Sequence, residues 1–154
     1  MEAERKLANL GLELLVTPVP LANYVPAVRT GNLLFLAGHV PRMADGSALH
    51  PGKLGVGVSI EEGYNAARQA ALNCLSTIKA TTGDLDKVVR VVKLLCMVSC
   101  APEFVDQSGV ANGASDLLVE LYGDRGRHAR SAVGMSSLPG NHCVEVEMVV
   151  EVAD

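Results

Sequence analysis

Residues 143–152, CVEVEMVVEV, alternate strictly. Val144, Val146, Met148, Val150 and Val152 fall on one side, and Cys143, Glu145, Glu147, Val149 and Glu151 on the other. A period of two marks a strand with one buried face, since successive side chains point to opposite sides of a sheet. The chain is thereby committed to a sheet with one strongly apolar face. Just upstream, residues 129–135 form a second short candidate strand carrying one cation, Arg130. Between them, residues 136–141 read as a turn, where Pro139-Gly140 supplies a fixed φ and then a positive φ. So short a link suggests a hairpin. A guanidinium and the Glu145 carboxylate on adjacent strand-like segments suit a site that grips an anion and does acid–base work. They also suit an ordinary solvated sheet face, which is the simpler reading of the composition, since surface charges are the rule.

The chain of 154 residues reads as one domain, residues 1–154, with a short helical extension over residues 1–12. Its 49% hydrophobic content suffices for a core, but aromatics are 3% and Trp is absent. The core must therefore be built from Val, Leu, Ala and Ile. A formal charge of −4 without a basic run argues against broad nucleic-acid binding, which needs clustered cations to neutralise phosphates. No apolar run approaches a membrane span, and the start lacks the layout of a signal peptide, so a cytoplasmic protein without a membrane partner is expected. Cys74, Cys96, Cys100 and Cys143 are scattered without a CxxC, as free thiols of a reducing compartment would be. The four histidines show no ligand spacing with them, so no metal and no cofactor are expected.

Residues 2–10 make a short amphipathic helix ended by Gly11. Residues 13–18 read as extended, and prolines 18, 20 and 26 keep the next stretch from helix. Tyr24 stands in that stretch, where packing over a sheet edge is its simplest role. Residues 28–30 and 33–37 are strands joined by Gly31-Asn32, a pair suited to a primed hairpin turn. Gly38 follows as a bulge or close backbone approach, then His39. Residues 41–58 are rich in turn signals and read as one long loop. No GxxxxGK[ST] or GxGxxG is present.

Residues 59–82 are the clearest helix. Ser59 and Glu62 form a capping box, and Ala67, Ala70, Ala71, Cys74, Leu75 and Ile78 make an apolar stripe ended by Gly83. Residues 88–98 are nearly continuously apolar and β-branched, which predicts a central strand buried on both sides. Residues 102–122 predict a second long helix with Pro102 in its first turn. Gly109 and Gly113 inside it each cost roughly 1 kcal/mol relative to Ala, so either the backbone approaches something closely or the helix is irregular. The layout is α+β, with both long helices on one face of a single sheet. The step from residue 88 to 135 should be a right-handed crossover joining parallel strands. The other sheet face lies bare, and homo-oligomerisation would cover it.

In these residues the chain resembles the YjgF family, also called the reactive intermediate deaminases (Rid) or the endoribonuclease L-PSP family. The resemblance runs from Asn23 onward. Its strongest part is Ala129-Arg130-Ser131-x-Val133, Leu138-Pro139 and Val144-Glu145-Val146-Glu147. Asn23-Tyr24, Gly31-Asn32, Gly38 with Pro41, and Asn112 support it. The resemblance implies a single mixed sheet of about six strands with two long helices on one face, the last strand lying beside the central one rather than in a hairpin. It implies a homotrimer built around a barrel, with a pocket at each subunit interface.

The implied activity is hydrolysis of 2-imino acids, or their enamine tautomers, to 2-oxo acids and ammonia. Arg130 would hold the substrate carboxylate, and Glu145 would orient or activate water. Tyr24, Asn112, Gly38 and Ala132 would line the pocket. A trimer that binds small carboxylates without turnover is the second reading, and the RNA cleavage of the older family name is the third. The chain departs from the pattern at Ala37, where Ser is common, at His39, where Gln is common, at Ala132, where Cys or Thr is common, and at His128, where Pro is frequent.

Overall fold

The computed structural model describes residues 2–17, 19 and 22–154; Pro18 and Pro20, on which part of the extended reading leaned, lie outside the described residues. Helix α1 (Glu2–Asn9) is followed by strands β1 (Ala27–Thr30) and β2 (Leu33–Leu36). Two short strands come next, β3 (Lys53–Leu54) and β4 (Gly57–Val58), then helix α2 (Ile60–Thr82). Strand β5 (Val88–Ser99), helix α3 (Gln107–Tyr122), β6 (Ala129–Met135) and β7 (Val144–Val152) complete the chain. The main sheet has the order β1-β2-β7-β5-β6, and β3 and β4 form a small parallel pair. Together they make the mixed α+β arrangement that the resemblance implied.

The strict alternation of residues 143–152 sets the layering. Val144, Val146, Met148, Val150 and Val152 are all buried, while Glu145, Val149 and Glu151 are half-buried and Glu147 is exposed on the opposite side. Helices α2 and α3 cover the valine side. Ala66, Ala67, Ala70, Ala71, Cys74, Leu75 and Ile78 of α2 have no exposed surface, so the predicted stripe is the buried one. Each buried Leu or Ile adds roughly 2 kcal/mol of transfer free energy, and the alanines contribute mainly by letting the helix lie close. Ser59 caps α2 as a full capping box, and Gly83 ends it with φ 81°. Gly31, φ 56°, is the sole positive-φ residue of its two-residue turn, as a type II′ hairpin requires.

Four expectations are corrected. The link between β6 and β7 is not a hairpin: β6 runs parallel to β5 at the sheet edge, while β7 inserts antiparallel between β2 and β5. The turn residues are still as read, with Gly140 at φ 64° and Asn141 also at positive φ. Helix α3 starts at Gln107 rather than at Pro102, because Asp106 accepts from Gly109 N and provides the stronger N-cap. Residues 41–58 are not all loop, since β3 and β4 form within them and Leu54, wholly buried, pairs with Cys100. Strand β5 is fully buried on the helix side only; its other face, with Leu95 and Met97, is half-buried in the single chain.

The glycines within α3 mark close approach, not irregularity. A Cβ on Gly113 would lie 1.9 Å from Tyr64 O of α2. Helix α1 docks by its own route: Ala3 and Leu7 are buried, and Asp86 accepts from the free backbone N–H groups of Glu2 and Ala3. None of the described helices is long and apolar enough to cross a membrane.

Candidate functional site

Arg130 sits on the edge strand β6 and pairs with Leu94 of β5, which is wholly buried beneath the helices. Its side chain therefore rises on the helix side of the sheet, where α3 meets it. Nη1 donates to Asn112 Oδ1 at 2.8 Å and to Ser115 Oγ at 3.1 Å. Both Nη1 protons are thus engaged. Nε and Nη2 have no protein partner among the described residues, and these are the paired donors that match a carboxylate side-on. Arg130 is half-buried, and its guanidinium is pinned at one end.

Ser115 is itself oriented. Its hydroxyl lies 2.9 Å from His128 Nε2, and His128 Nδ1 lies 2.6 Å from Gly126 O. Because a carbonyl can only accept, Nδ1 carries the proton and Nε2 accepts from Ser115. The chain Arg130 to Ser115 to His128 to Gly126 then runs donor to acceptor throughout. Burial, and secondarily the Arg130 charge, holds His128 below the usual histidine range, which favours the neutral ring this relay needs. Ser115 was not singled out from the sequence, and His128 appeared only as a departure from the family pattern. Residues 112 and 115 are three apart and share a helix face, which is the signal that could have found Ser115.

Glu145 lies elsewhere. It pairs with Met97 on β5 and points to the face away from the helices. Arg130 and Glu145 are therefore on opposite faces, two strands and three residues apart, with backbones roughly 14 Å from each other. One chain does not bring them together. The Glu145 carboxylate lies over Gly38: a Cβ there would be 2.4 Å from Glu145 Oε1 and 2.8 Å from Cδ. Burial, and then the Glu147 charge, raises the Glu145 carboxyl above the usual carboxylate range. Tyr24 is 57% exposed and stands ahead of β1, at the end of the β1–β2 hairpin where Gly38 lies.

The six expected site residues thus separate into two groups. Gly38 lies beside the Glu145 carboxylate, with Tyr24 ahead of β1 at the same end of the hairpin. Arg130, Asn112 and Ala132, which shares the Arg130 face of β6, form the other group. His39 belongs to neither. Its Nδ1 donates to Ala37 O at 2.7 Å, and its Nε2 lies 2.7 Å from Thr77 Oγ1 of α2, so it ties the β2 end to the helix layer. Among the described residues, no three His, Cys, Asp or Glu side chains gather into a metal-ion cluster.

Comparison with known proteins bears on the fold and the family. Residues 4–152 match the family described as "YjgF/chorismate_mutase-like, putative endoribonuclease". The chain is 44% identical over 146 residues to Protein TCP17 of Trypanosoma cruzi, covering 94% of this chain and 91% of that one. It is 43% identical to the crystal structure of protein Atu1372, of unknown function, from Agrobacterium tumefaciens. The TM-score there is 0.89, with 98% of this chain and 92% of that one covered. RidA from the Antarctic bacterium Psychrobacter sp. PAMC 21119 is 20% identical with a TM-score of 0.63, over 88% of this chain and 94% of that one, and shares the fold alone. The chain belongs to the YjgF/chorismate mutase-like family.

Proposed function

We propose that the protein hydrolyses 2-imino acids, or their enamine tautomers, to 2-oxo acids and ammonia, in pockets that adjacent copies of a homotrimer complete. The observation that carries this reading is the half-pinned Arg130 fork, with Nη1 held by Asn112 and Ser115 and Nε and Nη2 without a partner among the described residues. A planar α-carboxylate fits that pair, and binding it fixes the adjacent imine carbon in place. A neighbouring copy supplies Glu145, Gly38 and Tyr24, because the two half-sites of one chain face opposite sides of its sheet. The exposed Val28 and Phe35, with the half-buried Leu95, Met97 and Val149, give that assembly an apolar surface to bury.

In the reaction, the Glu145 carboxylate takes a proton from water as its oxygen attacks the imine carbon. That proton passes to the carbinolamine nitrogen. As the C–N bond breaks, the carbinolamine hydroxyl gives its own proton back to Glu145, so that the carbonyl forms and ammonia leaves, carrying off the last proton as ammonium. A carboxyl raised above its ordinary range is a stronger base for the first transfer and a ready donor for the second. The imine is already electrophilic, so positioning and one proton shuttle suffice.

Binding of small carboxylates without turnover is the second reading. Ala37 and Ala132 favour it, since they leave the half-sites without hydroxyl or thiol groups at those positions. RNA cleavage, the activity in the family's description, fits poorly with a chain of net charge −4. The deciding experiment generates 2-iminobutanoate enzymatically and follows 2-oxobutanoate release with and without the protein. Acceleration that Arg130→Ala abolishes, in a variant that still assembles, is the expected result. An equally active Arg130→Ala variant overturns the assignment.

A further inference from the structure

Lys53 opens strand β3, and that short strand is seated at the end of β5. Leu54, wholly buried, bridges to Cys100, and Ala101 N donates to Leu54 O at 3.0 Å. The seat leaves the half-buried Lys53 beside the ends of β5 and β6. Its Nζ donates to Ser99 Oγ at 3.1 Å and to Ser136 O. An ammonium carries three protons and a full charge, and both of these acceptors are neutral. Among the described residues no carboxylate pairs with it.

Lys53 forms one side of a cavity of ≈ 490 Å³, lined also by Val56, Cys100, Phe104, Gln107 and Met135 among others. The turn after β3 sets one wall: Gly55 takes φ 81°, and a Cβ on it would lie 3.3 Å from Phe104 Cβ. Gln107 Nε2 is already engaged, donating to Phe104 O at 2.9 Å with Cys100 Sγ at 3.7 Å. The remaining wall is mainly carbon, and Val56 and Met135 are 63% and 37% exposed. The cavity therefore sets one positive charge without a counter-charge against an apolar surface. Partly withdrawn from water, such a charge is best satisfied by an anion, because charge-assisted N–H···O bonds are stronger than the neutral ones it now makes. A single ammonium matches a single negative charge.

This is not the Arg130 site. Gly134, on the cavity wall, lies four residues along β6 from Arg130, roughly 13 Å away. A small ligand held on the guanidinium does not reach it.

We propose that this cavity is a second ligand site, which takes a monocarboxylate with an unbranched apolar chain of several carbons. The carboxylate sits on Lys53, and the chain lies against Phe104, Val56 and Met135. The site does not depend on imine hydrolysis and stands or falls by itself.

Octanoate is the probe, and the Arg130→Ala chain is the protein, because it lacks the other carboxylate grip. Isothermal titration should show saturable binding of octanoate. Butanoate should bind at least about tenfold more weakly, since each buried methylene is worth roughly fourfold in affinity. Octanamide keeps the chain and loses the charge, and it too should bind at least about tenfold more weakly. Lys53→Gln and Met135→Trp, added singly, should each weaken octanoate by a similar factor. Met135 is exposed, so the ring fills the cavity mouth without entering the core. Equal affinity for octanoate and octanamide overturns the proposal. So does octanoate binding that survives either substitution, or no binding at all. If octanoate breaks up the assembly in size-exclusion chromatography, a neighbouring copy occupies the cavity and the proposal falls as well. Should the Arg130→Ala chain not fold, wild-type crystals soaked in octanoate decide. Density with the carboxylate at Lys53 Nζ and the chain along Phe104 upholds the site, and an unoccupied cavity overturns it.

Discussion

Arg130 Nη1 donates to Asn112 Oδ1 across 2.8 Å, so a strand residue and a helix residue 18 positions apart fix one end of a guanidinium whose other end is open. Ser115 completes the clamp from the next turn of the same helix. Removing either acceptor leaves the charge in place but lets the fork rotate. Asn112→Ala and Ser115→Ala should each weaken binding of a 2-oxo acid by roughly tenfold, the worth of one hydrogen bond to a charged group. Arg130→Lys should weaken it further, because an ammonium cannot present two parallel donors. Isothermal titration with 2-oxobutanoate measures all three. Equal affinity in Asn112→Ala and wild type would show that the clamp does not matter.

Gly38 should prove a site residue without being a stability residue. A methyl there collides with the end of the Glu145 side chain, not with backbone: the contacts would be Oε1 at 2.4 Å, Cδ at 2.8 Å and Cγ at 3.1 Å. The carboxylate can swing away at little cost to the fold, but it then leaves the position from which the proposed reaction has it take a proton from water. Gly38→Ala should keep a Tm close to wild type while losing kcat toward the level of Glu145→Gln, on the order of a hundredfold or more. Steady-state imine hydrolysis beside a thermal melt separates the two effects. A large fall in Tm with kcat intact would mean that Gly38 serves the backbone instead.

The parts that could be read from the sequence are those with local causes. Alternation placed β7 and its buried valines, the capping box placed the start of α2, and the Ala-rich stripe identified the helix face against the sheet. The start of α3 was misplaced because two local signals competed, and the Asp106 cap outweighs a proline in the first turn. Strand pairing was a different matter. Nothing within residues 129–152 reveals that β7 skips its neighbour to pair with β2 and β5; only the family resemblance carried that, because the partners are distant in sequence. Arg130 and Asn112 were singled out in the sequence, but the residues behind them were not. Ser115 and His128 act through a relay that exists only once α3 lies against β6.

His39 gives the fold a pH dependence with a definite sign. Burial lowers its proton affinity below the ordinary histidine value of 6.5, and the backbone bond to Ala37 only partly opposes this. In the window between the lowered value and 6.5, the unfolded chain therefore binds the extra proton and the folded chain does not. The contribution is fully present above that window and is lost as pH falls through it. His128 and His142 are shifted the same way by burial. Glu145 is shifted upward, so its own contribution has the opposite sign. His39→Gln keeps an amide donor for Ala37 O and an acceptor for Thr77 without the titration. Its Tm should fall less than that of wild type on going from about pH 7 to about pH 5. Parallel curves would remove His39 from the account.

The division of the site into two halves makes a sharper demand on assembly. If Arg130 of one copy works with Glu145 of the next, a chain lacking either residue is dead alone but not useless in company. Arg130→Ala and Glu145→Gln chains, unfolded together and refolded as a mixture, should recover turnover at those interfaces where an intact Arg130 half meets an intact Glu145 half. For random assembly in equal amounts, that is about a quarter of the interfaces, so about a quarter of wild-type activity should return. A site within one chain predicts none, because every chain in the mixture lacks one of the two groups. The opposite-face placement of the two residues on β6 and β7 argues for recovery. Mass spectrometry of the refolded mixture confirms that mixed assemblies formed, so a zero rate in their presence would overturn the composite site.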